Sequence, residues 1–240
     1  MNNKECVSYL IGSQNYNLHD STSDKDYKSF VLPTFDDIYY GNKLNEHVAN
    51  DKGIKFYKSI KELPNLLFKK ASFNNLELLY SVDKVRSERF IEIDDWLNNN
   101  RDEIFKANLP RLFDSTIGEA HSRIKNVSLG KSCPSTVHLV EKYGYDTKDA
   151  MHAFRQFLYL RDVYENNSPE SIIFINNNNR ECLLDIKNGI YDKDECIKCM
   201  LSIIETLISS LKDYFHSFKF NEDLYQEFDN MIKQFIRNNL

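Results

Sequence analysis

The chain has 240 residues, 41% hydrophobic and 28% charged, ordinary values for a soluble globular protein and enough chain for one large domain or two small ones. A net charge of -5 gives no general attraction to nucleic acid, which disfavours a dedicated DNA-binding protein and leaves only a local basic patch for such contacts. Five cysteines, a polar Met1-Asn2-Asn3-Lys4-Glu5 start and no run as long as a membrane span point to a reducing, cytoplasmic setting, with no membrane partner and no obligatory disulfide framework.

In chain order, Cys6-Val7-Ser8-Tyr9-Leu10-Ile11 is rich in β-formers and ends in a Gly-Ser turn signal, so it reads as a buried strand opening into a loop. Gly12 permits close backbone approach to a ligand, and Ser13 offers a hydroxyl and nearby N–H groups to phosphate oxygens. Asp24-Lys25-Asp26-Tyr27-Lys28-Ser29-Phe30-Val31-Leu32, closed by Pro33, reads as a second strand whose period of two puts Asp24 and Asp26 on one face. Two carboxylates that close repel each other unless a cation lies between them, and Mg²⁺ is the usual resident among hard oxygen ligands. A Gly-Ser loop beside such a pair points to a metal-bound nucleoside triphosphate.

The polar stretch from Gly41 to Asp51 reads as a loop or an edge hairpin, and Gly53-Ile54-Lys55-Phe56-Tyr57-Lys58 as a third strand. Ser59 and Glu62 have capping-box spacing for a following helix with Ile60, Leu63, Leu66 and Leu67 as its stripe, although Pro64 sits late for a first turn. Leu76-Glu77-Leu78-Leu79-Tyr80 suits either a strand or a helical turn. From Glu88 helical periodicity takes over, with a polar break at Asn98-Asn99-Asn100 and a longer amphipathic helix from near Pro110. Arg111, His121, Arg123 and Lys125 on its other face, with Lys131 in the next loop, form a set that is usually solvated; contact with phosphate or RNA is the alternative.

Asp146 or Thr147 is a good N-cap for a helix carrying Ala150, Met151, Phe154, Phe157, Leu158 and Val163. Lys148, His152, Arg155 and Tyr159 recur at i, i+4, i+7 and i+11, on one face, and form a clamp suited to a triphosphate or a polynucleotide backbone. A lone histidine is more often bonded to a neighbour; flanking Lys148 and Arg155 favour the functional reading here. Ser171 to Ile175 suits an extended segment or the buried start of a turn, and Asn176-Asn177-Asn178-Asn179, like the earlier Asn run, a polar loop. Cys196-Ile197-Lys198-Cys199 has metal-binding spacing but lies within the helix stripe Cys196, Met200, Ile203, Ile204, Leu207, Leu211, and no second pair accompanies it, so core packing is preferred to zinc. The last helix, with Leu224, Phe228, Ile232 and Phe235, is expected to pack on its predecessor as an antiparallel hairpin.

Gly12-Ser13, a spacer of about ten residues, then Asp24-x-Asp26 resembles the signature of the polymerase-β-type nucleotidyltransferases. The fuller string from Gly12 through Tyr16, Leu18 and Ser23 to Asp26 resembles the phage and bacterial, RNA-repair-associated branch. Tyr143-Gly144-Tyr145-Asp146-Thr147-Lys148, followed by Ala150-Met151-His152 and Arg155, resembles the same branch in its helical half. The resemblance implies an α+β fold, with a small mixed β-sheet nucleotidyltransferase core over residues 1–85 and a helical region over residues 86–240 completing a nucleotide and acceptor cleft. It implies transfer of a nucleoside monophosphate from a nucleoside triphosphate to an acceptor, foremost an RNA or DNA 3′ hydroxyl, by Mg²⁺- or Mn²⁺-dependent in-line attack at the α phosphate.

In that reading Gly12, Ser13 and Ser23 hold the nucleotide phosphates and Asp24 and Asp26 ligate the metal, while Lys148, His152 and Arg155 neutralise developing charge. A phage protein of this branch would work in the host cytoplasm. The branch's third strand begins with an aspartate where Gly53 stands here, so Asp51 or Glu77 has to supply the third acid that two-metal phosphoryl transfer wants. Asp51 reads equally as a solvated loop acid, and Glu77 equally as a support. Two alternatives stay open: a catalytically weakened nucleotide- or RNA-binding protein on the same fold, and a nucleotidyltransferase that modifies a protein side chain.

Overall fold

The computed structural model describes residues 4–19, 23–50, 53–166 and 173–240. The fold is α+β, a five-stranded mixed sheet followed by a mostly helical region. The strands are β1 (Glu5–Ile11), β2 (Asp26–Val31), β3 (Asn45–Asn50), β4 (Gly53–Ser59) and β5 (Lys84–Arg86), in the order β3-β4-β2-β1-β5. β1 lies between β2 and β5, antiparallel to both, and is buried from Glu5 to Leu10, as its β-former run requires of an inner strand. β2 pairs with β4 in parallel, and the chain between them forms α1 (Phe35–Tyr39) and the edge strand β3. A capping box between Thr34 and Asp37 starts α1, a signal the sequence reading passed over.

Two departures concern the strands. β2 starts at Asp26, not at Asp24, because β1 offers partners only as far as Ile11, opposite Asp26, before the chain turns away at Gly12. The period-two argument therefore does not extend to Asp24. Ser59 makes no side-chain cap; the chain leaves β4 through a tight turn, Ile60–Glu62, and then widens, so that the Ala71 N–H reaches back five residues to the Leu66 carbonyl. Its expected stripe is nonetheless fully buried at Ile60, Leu63, Leu66 and Leu67. Leu76 to Tyr80 is helical turn rather than strand, following α2 (Phe73–Leu76).

The chain divides into two compact units, Met1–Leu109 with Lys219–Leu240, and Pro110–Phe218, in place of a boundary near residue 85. The first unit includes α3 (Ile91–Lys106) and the last helix, α9 (Glu222–Asn239), because the sheet needs their apolar faces as cover. Asn98 to Asn100 do not break α3: Ile93, Leu97 and Ile104 keep its buried stripe continuous and leave the asparagines to the polar side. The stripe of α9 is likewise taken up inside this unit. Phe228 stacks on Trp96 at 5.0 Å and packs against Phe68 at 6.0 Å, and Phe90 meets Phe235 edge-on at 5.6 Å. The preceding helix, its expected hairpin partner, belongs to the other compact unit.

The second unit is built from α4 (Leu109–Ser128), α5 (Val137–Tyr143), α6 (Thr147–Asn166), α7 (Asn177–Lys187) and α8 (Lys193–His216). α6 packs against α5, α7 and α8, and its entry is tied down by Tyr145 Oη to the Tyr191 carbonyl and Thr147 Oγ1 to the Lys187 carbonyl, each at 2.7 Å. The second Asn run is no loop: Asn176 caps α7 by accepting the Asn179 N–H, and the other three form its first turn. Of the expected segment 171–175, residues 171 and 172 lie outside the described residues. Cys196 is buried in the α8 stripe, as core packing requires, whereas Cys199 is exposed. Among the described residues no helix is long and apolar enough to cross a membrane.

Candidate functional site

In the first unit the chain leaves β1 through a turn at Gly12–Gln14, and Gly12 takes φ +78°, which favours glycine. The turn is pinned from several sides. Asn15 and Tyr16 donate their N–H groups to the Gly12 carbonyl, Leu18 N–H reaches the Ser13 carbonyl, and Asn15 Oδ1 accepts the Val82 N–H at 3.0 Å. Buried Tyr16 and Leu18 anchor it from below. Ser13 is half-buried, and its hydroxyl has no hydrogen-bond partner among the described residues.

Asp26 is brought to this turn by register, since Ile11 pairs with it across β1 and β2. Its Oδ1 accepts the Ile54 N–H at 2.9 Å, which fixes the carboxylate, and its Oδ2 lies 3.8 Å from where a Cβ on Gly12 would stand. Asp24 is exposed, two residues before the strand. Ser23 is half-buried, its carbonyl held by Gln14 Nε2 at 3.1 Å. Asp51 lies outside the described residues. At Gly53 an added Cβ would come within 2.1 Å of the Lys25 carbonyl oxygen, so this backbone has no room for a carboxylate side chain where the third strand begins.

Glu77 is almost fully buried, and its Oε2 accepts the Gly12 N–H at 3.4 Å. Its counter-charge is Lys28, on the same face of β2 as Asp26, a residue that sequence reasoning missed although the same period of two pointed to it. Lys28 Nζ donates to the Asn74 carbonyl at 2.8 Å and Asn75 Oδ1 at 3.4 Å. Burial pushes the Lys28 ammonium below the usual lysine range, and the nearby Glu77 charge opposes that shift. Glu77 thus braces the Gly12 turn through the 73–77 segment. Among the described residues no group of three His, Cys, Asp or Glu side chains is placed to hold a metal ion; at this turn Asp24 is exposed and Asp26 half-buried.

In the second unit the predicted clamp separates. Lys148 is exposed and His152 half-buried, and both line a cleft of about 440 Å³ together with residues of the 131–136 loop. Arg155 and Tyr159, farther along the same helix line, are buried in the unit's core at 2% and 1% exposure, so the line runs inward from solvent. Burial holds His152 well below the ordinary histidine value, and the charges of Arg155, Arg123, Lys148 and Lys187 add to that. Asp146 caps α6 by accepting the Asp149 N–H and also takes the Thr136 hydroxyl.

Compared with known proteins, the chain matches no family model and no curated protein sequence. The functional reading therefore rests on the residues and geometry above.

Proposed function

We propose that this protein transfers a nucleoside monophosphate from a nucleoside triphosphate to an acceptor hydroxyl, with the 3′ end of an RNA or DNA as that acceptor. The observation that carries the reading is the pairing of Ile11 with Asp26. It brings the Gly12-Ser13 turn, with its unengaged hydroxyl, beside a carboxylate oxygen, Asp26 Oδ2, that also has no hydrogen-bond partner among the described residues. The Ser13 hydroxyl hydrogen-bonds a phosphate oxygen of the incoming triphosphate. Glu77, through the Gly12 N–H, keeps the turn from moving as the phosphates arrive.

Asp24 and Asp26 would hold Mg²⁺ or Mn²⁺, whose remaining positions suit phosphate oxygens and water. When bound, the ion supplies charge neutralisation along the triphosphate and makes the acceptor hydroxyl more acidic. The reaction forms the acceptor oxygen to α-phosphorus bond, breaks the bond to the bridging oxygen and releases pyrophosphate. Pyrophosphate release with each common nucleoside triphosphate, with and without an RNA primer, tests this directly. Wild-type release that needs Mg²⁺ and falls at least about a hundredfold in Asp26→Asn, as for loss of a group stabilising transition-state charge, is expected; equal rates in the two proteins would overturn the reading. An α-phosphate label that ends on protein instead of RNA reassigns the acceptor to a side chain.

One observation favours a second reading, a nucleotide binder on this fold. Among the described residues no third acid joins Asp24 and Asp26 in a group able to hold a metal ion, and Gly53 leaves no space for one. A raised melting temperature with a triphosphate and no pyrophosphate release under any acceptor identifies that case.

A further inference from the structure

The cleft of the second unit has a chemistry that the transfer reaction does not use. All ten residues lining its roughly 440 Å³ carry a polar or ionisable group, so it suits a ligand held by hydrogen bonds and charge. Its two acids are already committed: Asp149 accepts Arg123 Nη1 at 2.5 Å and Asn126 Nδ2 at 3.3 Å, and Asp146 holds Thr136 and the Asp149 N–H. Its two lysines are not. The side chains of Lys131, from the loop, and Lys148, from α6, make no ion pair or hydrogen bond among the described residues, although both border the same space.

The remaining groups continue the pattern. Ser132 and Ser135 bring hydroxyls from the loop, and His152, held neutral, brings an imidazole whose Nδ1 is buried with no hydrogen-bond partner among the described residues. Donors thus border the cleft from both the loop and α6, a set suited to the several oxygens of a phosphoryl group. Cys133 Sγ lies on the same wall, within 3.0 Å of Ser135 Oγ and 3.3 Å of Thr136 Oγ1.

We propose that the cleft formed by the 131–136 loop and the first two turns of α6 binds a phosphoryl group, with Lys131 and Lys148 supplying the charge and Ser135 a hydrogen bond. The phosphoryl group belongs either to a nucleotide's polyphosphate tail or to the phosphorylated end of a polynucleotide. The site belongs to the second unit alone and does not depend on monophosphate transfer taking place.

Cys133 makes the test direct, because a ligand seated against it shields its sulfur. The full-length protein is treated with iodoacetamide, and alkylation is mapped by mass spectrometry; Cys182 and Cys199, also exposed but lining other surface, serve as internal references. Pyrophosphate at about ten times its Kd leaves roughly one site in eleven free, so Cys133 alkylation slows about tenfold while the references do not change. The Lys131→Ala, Lys148→Ala double variant loses the protection; both side chains are exposed and without ion pairs among the described residues, so the fold is expected to survive. ATP without metal, and 5′-phosphorylated against 5′-hydroxyl oligoribonucleotides, separate the two sources.

No protection by any of these anions, or protection undiminished in the double variant, overturns the site. Protection that persists in Asp26→Asn, where pyrophosphate release is lost, shows that the cleft works independently. Normal pyrophosphate release without Cys133 protection refutes the cleft and leaves the transfer reading intact.

Discussion

His152 shows how one residue type carries different consequences according to its setting. As a lone histidine on a helix it had several readings; in the fold it is a neutral imidazole held so by burial and by Arg155, Arg123, Lys148 and Lys187. Because its folded value lies well below the ordinary one of about 6.5, the unfolded chain takes up a proton first as pH falls. Stability is therefore unaffected by this group above about pH 6.5 and is lost below it, down to the folded value, with a slope of up to about 1.4 kcal/mol per pH unit. Urea denaturation at stepped pH values from 7.5 to 5, in wild type and His152→Gln, checks this, with the pH range set by the histidine value. The variant's curve is expected to be flatter by that slope; parallel curves would mean that His152 gains its proton in the folded state as readily as in the unfolded one.

Elements were legible where a local pattern and its tertiary demand agreed. β1, β2, β4, α4 and α6 follow from β-former runs, a Pro near a helix start, and the Asp146 cap. The Asn runs misled because asparagine was read by its intrinsic preference, whereas apolar residues four and seven apart decided for helix through 98–100, and the same preference made Asn176 a cap. The candidate site was legible in part for the same reason. Gly12, Ser13 and Asp26 are joined by strand register, which a sequence pattern carries, while the Glu77 brace and its Lys28 partner depend on a contact 65 residues away in sequence for Gly12 and Glu77, which no periodicity reports.

Gly53 belongs to this scale, because its lack of a side chain is a matter of how β4 meets the segment entering β2. At φ +143°, with the Lys25 carbonyl 2.1 Å from an added Cβ, alanine has to displace the backbone between Asp24 and Asp26. Gly53→Ala is expected to destabilise by about 3 kcal/mol or more, from strain and overpacking together. Triphosphate-dependent pyrophosphate release should fall with it, even at a temperature where the variant remains folded by circular dichroism. A variant with wild-type stability would show that residue 25 can move aside at no cost.

At the scale of the molecule, the first unit is made from both ends of the chain, with residues 219–240 closing a core begun at Glu5. The sheet and α9 are separated by more than a hundred residues of the second unit, so α9 contributes stability only after a long loop has been closed. Phe228 tests that arrangement, since it is fully buried, stacks on Trp96 and packs against Phe68. Phe228→Ala removes that ring from a closed core and is expected to cost about 3–5 kcal/mol. If α9 is part of the sheet's own cooperative core, hydrogen exchange in the variant accelerates in β1 and β2 as well as in α9, because opening one exposes the other. If acceleration is confined to residues 222–239, α9 is a separable attachment, and the sheet must draw its stability from α3 and the residues between Ile60 and Tyr80 alone.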